Sequence, residues 1–167
     1  MTASRRRLLA LLAALPLAAA GARAATPDFV ADPAVADAAK ASAAEAVKVA
    51  QDAYKIKLDY SEASIDDVEH ILDMAHLSRA LASASSNDPR LAHAAEIFGA
   101  YLGEVYRRNR GAIWGQVTLN GNTYPGFRTD SGIDVWATGR VMNRIVDGPD
   151  NNIAEYYRKL VSGPAKD

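Results

Sequence analysis

The chain contains no cysteine, and this absence excludes several kinds of structure. No disulfide bond can form, and no thiolate can bind a metal ion. A lipid anchor on a processed cysteine is excluded as well. The side chains left for chemistry are mainly the acidic residues, the arginines, the aromatic residues and three histidines.

The sequence also lacks the short motifs of common active sites. It contains no Gly-x-Ser-x-Gly, no His-Glu-x-x-His, no phosphate-binding loop and no dinucleotide fingerprint. Asp130 and Ser131 lie in a predicted loop, but an acid and a serine alone do not form a catalytic triad. We therefore predict no catalytic residue and no cofactor, and a function without catalysis is favoured.

The first 24 residues have the pattern of a cleaved signal peptide. Arg5 to Arg7 supply positive charge, an apolar run follows from Leu8 to Ala20, and Ala22-Arg23-Ala24 precedes the expected cleavage point. The run is too short and too rich in alanine for a membrane span, so no stable anchor is predicted. Both the general secretory and the twin-arginine route fit Ser4 to Leu9, and the predicted destination is the periplasm or the exterior.

Removal of the leader leaves 143 residues, the size of one domain. We predict a short tail at 25–31 and a single domain at 32–167. Fifteen Lys and Arg then face twenty Asp and Glu, a net charge of −5. Such a protein is a poor candidate for binding nucleic acid through bulk charge. A protein partner of unspecified identity remains as the macromolecular partner.

Capping signals predict three helices before any sheet. Asp32-Pro33 and Asp88-Pro89 each place an N-cap residue before a proline at the first helical position. The predicted helices run from Pro33 to about Lys55, from a capping box at Ser64–Asp67 to about Ala82, and from Pro89 to near Gly111. Between the first two, residues 56–60 alternate apolar and polar, which favours a short extended segment.

A β-hairpin is predicted around Asn120-Gly121, the strongest local sign of a two-residue turn. The register places Leu119 opposite Asn122, and it also pairs Trp114 with Phe127, Gln116 with Pro125 and Val117 with Tyr124. Pro125 then lacks an outward donor, which predicts an edge strand or one with an interrupted neighbour. Residues 133–136 suggest a third strand, and Asp150–Asn152 cap a last helix, so the predicted class is α+β.

The third helix carries the most informative stretch, GAYLGEVYRRNRGAIW (99–114). Two glycines inside a helix need a reason, because each costs about 0.5–1 kcal/mol relative to alanine. Close approach of a neighbouring element is the simplest reason. The helix has two apolar stripes, which predicts that it is central and packs on both sides. The main stripe consists of Ile97, Phe98, Tyr101, Leu102 and Val105. The stripe of small residues consists of Ala92, Ala95, Gly99, Gly103 and Tyr106.

Glu104 allows two interpretations. It is either half of a surface ion pair with Arg107 or Arg108, or a half-buried carboxylate that points into a cleft beside Trp114 and binds a ligand or acts as a base. The candidate binding residues are Tyr101, Glu104, Arg107 and Trp114. Gly111 is interpreted as the helix stop, a structural role.

The three histidines invite a metal hypothesis that their spacing does not support. On a helix, His70 and His76 point about 120° apart, so they cannot share one ion without help from another element such as His93. No metal site is predicted.

Three stretches, LDYSEASIDDVEHIL (58–72), GAYLGEVYRRNRGAIW (99–114) and VMNRIVDGPDNNIAEYYRKL (141–160), together resemble a group of small, often secreted bacterial domains of unknown function. Members show a Leu-Asp-x-Ser-x-x-Ser opening, a Gly-x-Tyr-Leu-Gly-Glu-Val helix before a tryptophan strand, and an Asn-Gly-Pro-like turn before a tyrosine-rich helix. The resemblance implies a helix-plus-hairpin α+β domain and carries over no catalytic residue.

Two functional hypotheses follow. The first is an exported binding protein without catalysis, with an inhibitor or immunity-type protein as one form of it. The second is a small hydrolase or ligand-processing enzyme centred on Glu104. A perturbed carboxylate in an electronegative cleft favours the enzyme, and a broad exposed apolar patch beside the hairpin favours the binder.

Overall fold

The computed structural model of the protein describes residues 28–82 and 85–163, so the predicted signal peptide lies outside the described residues. The predicted α+β class is confirmed, since these residues form five helices and a four-stranded antiparallel sheet. In chain order the elements are β1 (Phe29–Ala31), α1 (Pro33–Val49), α2 (Ser64–Ala82), α3 (Pro89–Arg110), β2 (Ala112–Leu119), β3 (Asn122–Thr129), β4 (Asp134–Val135), α4 (Ala137–Asp147) and α5 (Ile153–Ser162).

The order of elements differs from the prediction at two places. Residues 29–31 belong to the predicted tail, but they form β1, which pairs with β2 and places Val30 opposite Gln116. Three N-terminal helices are therefore not matched as stated, because a strand precedes them. The prediction allowed for one or more C-terminal helices, but it located only α5 and not α4. A strand of three residues is too short to show a periodic sequence pattern. β1 forms because it pairs with β2, and this pairing could not be predicted from residues 29–31 alone.

The hairpin register is the predicted one, and it positions the aromatic residues of the sheet. Trp114 pairs with Phe127 and Val117 with Tyr124. Asn120 and Gly121 have φ of 51° and 79°, as a tight turn of this kind requires. β4 pairs only with Phe127 and Arg128, so Pro125 has the interrupted neighbour that was predicted.

Side-chain caps begin three of the helices, as their sequences indicate. Asp32 accepts a hydrogen bond from the Ala34 amide at 2.9 Å, Asp88 accepts one from Arg90 at 2.9 Å, and Asn152 accepts one from Glu155 at 2.8 Å. α1 is followed by one π-helical turn over Ala50–Tyr54.

The predicted capping box of α2 is wrong. Ser64 is already the first helical residue, and its hydroxyl donates to the Ser61 carbonyl oxygen at 2.6 Å. Residues 56–60 pair with no strand among the described residues, so the predicted extended segment lies outside the sheet.

α3 lies at the centre of the fold. All five residues of its main stripe are buried, and so are four of the five in the stripe of small residues, Ala92 being exposed. A Cβ built on Gly99 would come within 2.8 Å of the Thr138 backbone, so α4 approaches the helix there. A Cβ on Gly103 would come within 2.4 Å of the Trp114 ring. The two glycines therefore mark contacts with two different elements.

A buried arginine joins α4 to α2 and α5. Only 1% of Arg144 is exposed, and its guanidinium donates to Glu69 and to Asp73, each at 2.7 Å. The second oxygen of Glu69 accepts the Ile153 amide at the start of α5 at 2.7 Å. Three helices are thus held together by one guanidinium and the two carboxylates that compensate its charge.

Replacement of Gly103 by leucine tests the close packing of Trp114 on α3. Gly103→Leu should destabilise the fold by about 1–3 kcal/mol or more, because the added side chain overlaps the indole ring. Urea denaturation of both proteins measures the difference. Ala92→Leu, at an exposed position of the same helix, should stay within about 0.5 kcal/mol of the wild type. Equal stability of Gly103→Leu and the wild type would refute the packing argument.

Candidate functional site

A large open cleft lies between α1, α3, the start of α4 and the hairpin. Its volume is about 680 Å³, and we call it the apolar cleft. Its lining residues come from four parts of the chain, Asp32, Ala34, Val35, Ala38 and Ala39 at the start of α1, Ala92, Glu96, Gly99 and Ala100 on α3, Trp114, Gln116, Tyr124 and Pro125 on the hairpin, and Trp136, Ala137 and Thr138 before and on α4.

The helical walls of the cleft are made largely of alanine, and the opposite wall is aromatic. Trp136 stacks on Tyr124 with ring centroids 4.2 Å apart and an angle of 21° between the planes. Trp136 is also packed against Gly139, where a Cβ would lie 2.4 Å from the ring. Both tryptophans of the chain, Trp114 and Trp136, line the cleft. The shape of this wall is therefore fixed by the packing of its aromatic side chains.

The charged residues that line the apolar cleft are both acidic. Asp32 lies at the N-cap of α1, and Glu96 is exposed on α3. Among the described residues, no lysine, arginine or histidine lines the cleft. The cleft consequently combines apolar walls with negative charge.

Glu104 lies behind the tryptophan wall and is fully buried, with 0% of its surface exposed. Its Oε1 accepts hydrogen bonds from Trp114 Nε1 at 2.9 Å and from Arg107 Nε at 2.7 Å. Its Oε2 accepts from Arg107 Nη2 at 2.9 Å and from Arg108 Nε at 3.1 Å. The two arginines remain partly exposed and close the carboxylate off from solvent.

Neither sequence interpretation of Glu104 describes this arrangement. The predicted ion-pair partners are present, but the carboxylate is fully buried and not at the surface, and its oxygens are bound by the Trp114 indole and the two guanidinium groups. Nor does it face the apolar cleft, since it is not among the lining residues. Its place is that of a positioning residue, which orients Trp114 through the indole N–H.

The protonation of Glu104 depends on opposing effects. Burial raises the pKa of the carboxyl, whereas the hydrogen bonds from Arg107 and Trp114 and the positive charge of Arg107 lower it. The lowering effects outweigh burial, so the pKa lies below its ordinary value of 4.5. The group is therefore an anion at neutral pH, with all of its bonding directed to the protein.

Tyr101 belongs to a second cluster that adjoins this one. Its hydroxyl lies 2.7 Å from the Ser64 hydroxyl and accepts the Tyr60 amide at 2.8 Å. Tyr60 has a φ of 63°, a conformation that costs a non-glycine residue free energy and needs such support. The Arg108 guanidinium covers the Tyr60 ring at 3.5 Å. Arg108 thus connects Tyr101 indirectly to Glu104, and the 58–64 motif is accounted for by structure.

The histidines lie at three separate places. His76 Nδ1 is 2.8 Å from the Ile145 carbonyl oxygen, His93 Nε2 is 2.9 Å from Glu45, and His70 is exposed. Within the part of the chain that the structure describes, no three His, Asp or Glu side chains lie close enough to hold a metal ion. The same residues include no helix that is both long and apolar enough to cross a membrane.

The sequence prediction brought together only part of this site. Glu104, Arg107 and Trp114 do meet, but Trp136, Tyr124 and the alanine walls were missed. The third predicted strand, residues 133–136, was the available signal, because a strand paired beside β3 places residue 136 near the hairpin. No family model matches the chain, and neither a curated protein nor a solved structure matches it. The resemblance to secreted domains therefore stays a prediction.

Glu104→Gln tests the buried carboxylate. The amide offers one oxygen where four donors converge, so we expect a loss of about 2–4 kcal/mol in the free energy of unfolding. Trp114 should also become less restrained, which steady-state fluorescence anisotropy would detect. Glu96→Gln, on an exposed part of the same helix, should change stability by less than about 0.5 kcal/mol. If Glu104→Gln loses no more stability than Glu96→Gln does, the positioning role of Glu104 is refuted.

The same carboxylate predicts a dependence of stability on pH. Because the folded pKa of Glu104 lies below the unfolded one, its ionisation stabilises the fold above pH 4.5 and that stability is lost as the pH falls through the folded pKa. The difference in Tm between wild type and Glu104→Gln should accordingly be constant near neutral pH and shrink below pH 4.5. Calorimetry from neutral to acidic pH measures it, and a difference that grows on acidification would contradict the sign.

Proposed function

We propose that the protein is an exported binding protein without catalysis, and that it takes a small, mainly apolar ligand in the apolar cleft. The observation that carries this proposal is the cleft itself, with a volume of about 680 Å³ and walls of alanine and aromatic side chains. Ligand sites in proteins are concave, mostly apolar and roughly 300–1,000 Å³ in volume.

The rigidity of the walls supports a binding role. Trp114 is held by its hydrogen bond to Glu104, and Trp136 is held between Tyr124 and Gly139. A ligand that enters such a cleft loses little free energy to ordering of the protein. The alanines also bring no rotatable side chains that a ligand would have to immobilise.

The alternative hypothesis, a small hydrolase centred on Glu104, has less support. A general base must reach the proton that it removes, whereas the oxygens of Glu104 are fully buried and bound to Arg107, Arg108 and Trp114. An inhibitor or immunity-type protein remains a form of the binding class, with its partner unassigned. The leader sequence supports export to the periplasm or beyond.

Ala38→Phe tests the location of the binding site. Ala38 is exposed on α1 and lines the cleft, so a phenylalanine there should occupy ligand volume without disturbing the core. We expect the full chain to bind the neutral dye N-phenyl-1-naphthylamine saturably at one site, and the variant to bind it about tenfold more weakly, equal to roughly 1.4 kcal/mol. Dye fluorescence, excited through the tryptophans, gives both affinities.

Ala41→Phe is the matched control, because Ala41 is exposed on the same helix but is not among the lining residues. It should bind the dye as the wild type does. Equal affinity of all three proteins would place the dye elsewhere, and no saturable binding to the wild type would remove the support for the proposed function.

A further inference from the structure

The charged residues of the apolar cleft indicate the charge of a ligand, which the apolar walls alone do not. Asp32 and Glu96 reach the same cleft from two different helices, and no basic side chain of residues 28–82 or 85–163 lines it. Some other acids at the surface form ion pairs with an arginine, as Asp66 does with Arg158 and Glu62 with Arg110. The two acids of the cleft have no such partner among the described residues.

The bonding of the two carboxylates leaves acceptor positions open. Asp32 uses Oδ1 to accept the Ala34 amide at 2.9 Å and thus caps α1, while its Oδ2 accepts no hydrogen bond from the described residues. Glu96 takes part in no hydrogen bond or ion pair of the described residues, and it is exposed. Neither carboxylate therefore has an ion-pair partner among the described residues, and both keep acceptor positions free for a ligand.

The division between apolar walls and acidic residues matches an amphiphilic molecule. The alanines of α1 and α3 and the rings of Trp114 and Trp136 present apolar surface, which an aliphatic or aromatic body would cover. A charged head would stay near Glu96, where it keeps part of its hydration. An anionic head would meet two like charges, and a neutral head would leave both uncompensated.

We propose that the ligand of the apolar cleft is a small organic cation, an amine or quaternary ammonium group attached to an apolar body. This inference rests on the proposed function and specifies the chemical class of the ligand. The negative charge of Asp32 and Glu96 attracts the ammonium group, and the body lies against the alanine and aromatic walls.

Three probes with the same tail and different heads test the charge. Decylamine, decanol and decanoate are titrated into the full chain at neutral pH and low salt, below their aggregation limits. Intrinsic fluorescence gives the dissociation constants, since both tryptophans of the chain lie in the cleft. We expect decylamine to bind about tenfold more tightly than decanol, and decanoate more weakly than both. The advantage of decylamine should shrink as salt is added, because exposed charges are screened.

A double variant identifies the carboxylates. Asp32→Asn keeps a residue that caps a helix as well as aspartate does, and Glu96→Gln keeps the size of the side chain. In the double variant decylamine and decanol should bind within about twofold of each other. Asp67→Asn with Asp147→Asn removes the same charge from exposed positions outside the cleft and should preserve the tenfold difference.

The outcomes separate this inference from the proposed function. If the three probes bind with equal affinity, or decanoate binds most tightly, the cleft is a binding site but the cationic ligand is refuted. If the control double variant loses the preference as well, the preference reflects net charge and the inference fails. If no probe binds to the wild type, both proposals fall together.

Discussion

The hydrogen bond from the Trp114 indole to the buried Glu104 carboxylate is the contact on which the arrangement of the site depends. A carboxylate can be buried at this place because Arg107 and Arg108 supply opposite charge from the next turn of the same helix. Gly103, one residue earlier, leaves room for the ring that Glu104 orients. The residues of the stretch from 99 to 114 therefore act together to hold Trp114 in a fixed position beside α3.

Trp114 links the core to the surface. The face of Trp114 toward α3 completes the core with Phe127, at a ring separation of 5.4 Å, while the same side chain also lines the apolar cleft. The alanine face of α1 has a similar double use, since Ala39 is buried against the core and also lines the cleft. The cleft thus adjoins the core, and it forms because small side chains do not fill the space between the helices and the hairpin.

Local signals predicted most of the fold, and longer-range contacts account for what was missed. Asn120-Gly121 and Pro125 were enough to predict the hairpin register, because turn type and a missing donor act within a few residues. β1 depends on β2, more than eighty residues later in the chain, and nothing in three residues announces that partner. For Glu104 the sequence predicted the right partners but not the burial, because burial depends on where Trp114 folds back. The place of Trp136 in the cleft was not predicted for the same reason, since the turn between β3 and β4 determines which residues lie next to it.

The bidentate use of Arg144 has a consequence at a distance. Nε binds Glu69 and Nη2 binds Asp73, so two nitrogens of one planar guanidinium hold the two carboxylates, a geometry that the single nitrogen of a lysine does not reproduce. Arg144 also lies on the helix that begins just after Trp136, roughly 12 Å farther along the axis at about 1.5 Å per residue. Trp136 at one end of α4 and the ion pairs of Arg144 near the other end are therefore joined by one continuous helix. A substitution at residue 144 that shifts α4 would therefore also shift the start of that helix, which packs on Gly99 and follows Trp136, although Arg144 itself does not line the apolar cleft.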